Sequence, residues 1–79
     1  MPIVVTAPAG VRLAGRYWLW ASDGRERNLV PLSLDEGGRG SVRLPAGKWR
    51  LTFGLGGLPQ AEVEVDVPVR APVRIDLKR

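Results

Sequence analysis

Lys48-Trp49-Arg50-Leu51-Thr52-Phe53-Gly54-Leu55 changes polarity at every step. Trp49, Leu51, Phe53 and Leu55 fall on one side, and Lys48, Arg50 and Thr52 on the other. Successive side chains of a pleated strand point to opposite faces, so this period of two predicts a β-strand with one face in a core. Working outward, the same alternation returns in Ala61-Val63-Val65-Val67 against Glu62-Glu64-Asp66. It returns again in Val73-Ile75-Leu77 against Arg74-Asp76-Lys78. On the N-terminal side, Val11, Leu13, Tyr17, Leu19 and Ala21 face one way, and Arg12, Arg16, Trp18 and Trp20 the other. Shorter runs at 3–7, 29–34 and 41–44 read as further strands, and no segment sustains a period of 3.6.

The breaks between these runs carry turn chemistry. Ser22-Asp23-Gly24, Gly37-Gly38, Pro45-Ala46-Gly47 and Gly56-Gly57-Leu58-Pro59 each supply residues that fix φ or accept a positive φ, and Pro68 and Pro72 bracket another break. Seven short strands punctuated this way predict an all-β fold, a small seven-stranded antiparallel β-sandwich of immunoglobulin-like or prealbumin-like type, with a small β-barrel as the alternative. A hairpin turning near Leu58 would set Arg50 opposite Asp66 and Thr52 opposite Glu64. Such cross-strand pairs contribute roughly 0.2–1 kcal/mol each and account for most of the charge here as surface pairing.

The stretch Gly40-Ser41-Val42-Arg43-Leu44-Pro45-Ala46-Gly47-Lys48-Trp49-Arg50-Leu51-Thr52-Phe53 resembles the central hairpin of carboxypeptidase regulatory-like domains, the transthyretin-like (prealbumin-like) β-sandwiches. In those families a strand ends in Leu-Pro-x-Gly and an aromatic opens the next alternating strand. The resemblance covers residues 38–77, and the family's Gly-x-Val opening is missing from 11–21. It implies a seven-stranded accessory module without catalysis, and it carries over no site residues. The pattern also has its own physics: Pro45 fixes φ, Gly47 accepts a positive φ, and Trp49 anchors the core beside the turn.

Composition narrows the function classes. Seventy-nine residues make one domain, 1–79, which buries only roughly 60–65% of the surface of its unfolded chain. With neither Cys nor His, the chain has no disulfide, no thiolate nucleophile and none of the commonest general bases or metal ligands. Glu62, Glu64 and Asp66 share one exposed strand face, and a flat face offers no cleft for a carboxylate pair to work in. Asp35-Glu36 before two glycines is the one acidic loop cluster, and two acids in a turn are more simply solvated than calcium-bound. Gly54-Leu55-Gly56-Gly57 precedes a strand rather than the helix a phosphate loop requires, so these glycines are turn residues. No catalytic residue, metal ligand or cofactor is therefore expected, and the chain reads as a non-enzyme. No apolar run approaches the length of a membrane helix, and residues 1–5 lack the basic and apolar regions of an export signal. The chain is thus expected to be soluble, without membrane insertion, and cytoplasmic rather than exported. Beginning with Met and lacking a tail, it fits a free-standing structural subunit or virion component.

Tyr17-Trp18-Leu19-Trp20 is the most informative segment for function, because it puts large side chains on both faces of one strand. Only one face can meet the core. The other needs a cover, either residues 3–7 folding over it or a partner. The expected interaction surface is Arg12, Arg16, Trp18, Trp20, Arg43 and Arg50, used for self-association or for docking on a protein assembly, since Trp and Arg dominate interface energetics. A net charge of +4, with Arg39, Arg43, Lys48 and Arg50 in a stretch free of acids, makes nucleic acid the alternative partner. Sugar stacking on the tryptophans comes third, because the Asn, Gln and Asp that usually accompany it are scarce.

Overall fold

A computed structural model describes residues 1–78. Seven strands run in order: β1 (Pro2–Thr6), β2 (Gly15–Ser22), β3 (Arg27–Leu34), β4 (Arg39–Ser41), β5 (Gly47–Phe53), β6 (Ala61–Val67) and β7 (Val73–Asp76). They form a three-stranded sheet, β4-β1-β7, and a four-stranded sheet, β3-β2-β5-β6. Neither closes into a barrel. The all-β expectation and the strand count hold, with no helix among the described residues, and so none long and apolar enough to cross a membrane.

Alternation selects the core. Ile3 and Val5 from β1, Leu19 and Ala21 from β2, Leu32 and Leu34 from β3, Leu51 and Phe53 from β5, and Val73 and Ile75 from β7 are buried in one cluster drawn from both sheets. Tyr17 joins it edge-on, its ring 5.5 Å from that of Phe53 at 82°, a favoured aromatic geometry. Trp49 is buried, and its Nε1–H donates to the Pro45 carbonyl at 2.9 Å. The indole therefore fastens the turn to the core, as its position beside the Pro-Ala-Gly corner predicts.

Three expectations about pairing are corrected. The fold is not wholly antiparallel, because β1 and β7 pair in parallel from Ile3↔Val73 to Thr6↔Asp76. Strands this far apart in the chain need no tight turn and can lie either way. The Thr6 hydroxyl closes the pair by donating to the Asp76 carboxylate. Second, the segment through Pro45 is not a hairpin: β4 pairs with β1 and β5 with β2 and β6, so the corner at 42–46 carries the chain from one sheet to the other. Third, β5 and β6 pair two residues out of the expected register, with Lys48↔Asp66, Arg50↔Glu64 and Thr52↔Glu62. Their loop is centred on Gly57, whose φ of +84° suits glycine, rather than on Leu58. A shift of two keeps every side chain on its expected face, so the alternation alone does not distinguish the two registers.

Candidate interaction face

Sheet register assembles the outward face of the four-stranded sheet. The β2–β3 hairpin sets Trp20 beside Leu29, Trp18 beside Pro31, Arg16 beside Ser33 and Ser22 beside Arg27. Its turn is held by Asp23, whose carboxylate accepts the N–H groups of Arg25 at 2.8 Å and Glu26 at 3.0 Å. These bonds, led by that of Glu26, hold the Asp23 carboxyl below its ordinary pKa of 3.8. On the other side β2 pairs with β5 over only three positions, Trp20↔Thr52, Ala21↔Leu51 and Ser22↔Arg50.

That short ladder separates the two outward tryptophans. Trp20 is flanked by Leu29 and Thr52 and capped by Arg27, whose guanidinium carbon lies 4.4 Å from the ring centroid. It is half-buried. Trp18 stands beyond the last β2–β5 pair, and the position that register would set beside it is Gly54, which has no side chain. Trp18 is therefore 63% exposed, and Leu29 is 47% exposed. They are the two large exposed hydrophobics among the described residues.

The expected surface is only partly brought together. Arg16, Trp18, Trp20 and Arg50 share this face, whereas Arg12 lies in the β1–β2 connection and Arg43 in the β4–β5 corner, off the strands of the sheet. Arg12 was expected to continue the alternation of β2, but the strand begins at Gly15; the inward partner in that stretch, Leu13, packs against the core from a loop. Arg50 is engaged by Glu64 at 3.0 Å, the carboxylate raising its pKa by hydrogen bond and charge. Residues 3–7 do not cover the tryptophans, since β1 lies in the opposite sheet. Arg27, Leu29 and Pro31 complete the patch and escaped the sequence reading. The Asp23-Gly24 turn was the available signal, because folding the chain back across 23–26 sets Leu29 beside Trp20.

Toward β6 the same face turns ionic: Lys48 and Arg50 on β5, then Glu62, Glu64 and Asp66 on β6. An open groove of about 500 Å³ runs from the Asp23 turn past Lys48 and Arg50 to Glu64 and Asp66. The acidic loop at Asp35 serves its own turn, Oδ1 accepting the N–H groups of Gly37 and Arg39 at 2.9 Å each. Compared with protein-family models, with curated proteins and with solved structures, the chain matches none of them.

Proposed function

We propose that the chain is a non-catalytic β-sandwich module that docks, onto itself or onto a larger protein assembly, through the outward face of β2 and β3. The observation that carries this reading is Trp18, 63% exposed opposite Pro31 and diagonal to the exposed Leu29 on the β2–β3 pair. Apolar surface of this kind is stabilised by being covered, and tryptophan beside arginine is the composition of an interface centre. Seven strands divided between two sheets around one core support the β-sandwich part of this reading.

Sedimentation of the full chain over a range of concentrations tests the reading. Self-association lost in Trp18→Ala, with circular dichroism unchanged, is the expected result. A monomer at every concentration, retained on heparin with a steep salt dependence, would favour the nucleic-acid alternative instead. Quenching of tryptophan fluorescence by oligosaccharides, insensitive to salt, would favour sugar stacking.

A further inference from the structure

Each sheet has two edge strands, and three of the four are blunted against pairing. β3 carries Pro31, which has no N–H to offer an incoming strand. β4 and β7 span three and four residues, too short to template a long partner. β6 differs. Its seven residues Ala61–Val67 contain neither Pro nor Gly, and they pair with β5 alone. The second edge of this strand presents regular N–H and C=O groups without a ladder partner.

The inward side chains of β6 are incompletely covered as well. Val63, Val65 and Val67 are half-buried, whereas Trp49, Leu51 and Phe53 on the adjacent β5 are at most 8% exposed. The flank between β6 and β7 is an open groove of about 460 Å³, lined by Gln60, Ala61, Val63, Arg74 and Lys78 among others. Another strand on β6 would both complete its ladder and extend the apolar layer over these valines.

Charge on the outward face selects the partner. Glu62, Glu64 and Asp66 are all exposed, and of these three only Glu64 forms an ion pair with a described residue, Arg50. A second copy of β6 is disfavoured. Keeping its valines on the core side in an antiparallel pair puts Glu64 against Glu64 and Glu62 against Asp66, and a parallel in-register pair aligns the same acids. Like charges directly opposite are destabilising. The strand that β6 does accept, β5, alternates Lys48 and Arg50 with Trp49 and Leu51.

From this edge we infer that β6 captures an extended segment of another protein in which Lys or Arg alternates with aliphatic residues, adding it as a fifth strand beyond β5 and β6. Main-chain hydrogen bonds hold the segment, its basic residues meet Glu62 and Asp66, and its apolar residues cover Val63 and Val65. This surface is separate from the Trp18 patch, and either can fail without the other.

A synthetic peptide of alternating Lys and Val, about eight residues long, is the probe. Added to the isotopically labelled full chain, it should slow amide exchange within 61–67 and leave β3 unaffected. The exposed double substitution Glu62→Lys with Asp66→Lys should weaken this binding about tenfold and allow an alternating Glu-Val peptide to bind in its place. A Lys-Val peptide N-methylated at every residue has no N–H left on either edge, tests the ladder on the unaltered chain and should not bind. The proposal is overturned if no protection appears at millimolar peptide, if protection falls on β3, if charge reversal leaves affinity unchanged, or if the N-methylated peptide binds equally well.

Discussion

The guanidinium carbon of Arg27 sits 4.4 Å from the centroid of the Trp20 ring, joining the first residue of β3 to an outward residue of β2. The contact caps one tryptophan of the face while its neighbour, Trp18, stays bare. Such a contact contributes about 0.5–1 kcal/mol where solvent has access. Arg27→Ala should lower stability by that amount in urea titration and shift tryptophan emission to longer wavelength. Trp18→Ala should change the stability of the isolated chain by less than about 0.5 kcal/mol, because no cross-strand side chain on the β5 side rests against it.

Trp49 joins the Pro45 corner to the core through one indole hydrogen bond and its buried ring. Trp49→Phe keeps most of the ring and loses the bond, so a cost of about 1–2 kcal/mol is expected. Trp49→Ala removes the ring too, at about 3–5 kcal/mol. That is a large part of the stability of so small a domain, and thermal denaturation should show little or no folded baseline.

Gly40 lies where β3 and β4 approach each other. A Cβ there would come within 2.3 Å of the Ser33 carbonyl oxygen and 2.9 Å of Leu32 Cδ1. The nearest of these atoms belongs to backbone, so Gly40→Ala must push two strands apart and should cost about 3 kcal/mol or more. Gly54→Ala meets instead the flexible Gln60 side chain, at 2.9 Å from its Cγ, and should be far milder. Denaturant midpoints of the two variants measured side by side check the contrast.

Asp23 links the β2–β3 turn to pH. Its folded pKa is depressed below 3.8, mainly by the N–H groups of Glu26 and Arg25. A depressed carboxyl stabilises the fold above its unfolded pKa, and that contribution is lost as pH falls through the folded value. Stability of the wild-type chain should therefore decline below about pH 4. In Asp23→Asn this component of the decline should be absent, and carboxyl titration by NMR would show Asp23 titrating lower than an unstructured aspartate.

Side-chain alternation determined, without coordinates, which residues of each strand face inward. Leu19, Ala21, Trp49, Leu51, Phe53, Val73 and Ile75 are buried where a period of two places them, because a pleated backbone leaves only two sides to choose between. The outward direction of Trp18 and Trp20 was legible for the same reason. Pairing was not. A register displaced by two satisfies the same pattern, so Arg50 meets Glu64 rather than Asp66, and only the seven-residue loop at 54–60 fixes the choice. Which sheet a strand joins depends on contacts between residues far apart in the chain, such as Ile3 with Val73, and no local signal encodes them. Tertiary structure alone thus decided that the β2–β5 ladder stops short of Trp18 while Arg27 falls over Trp20, and with it which tryptophan is bare.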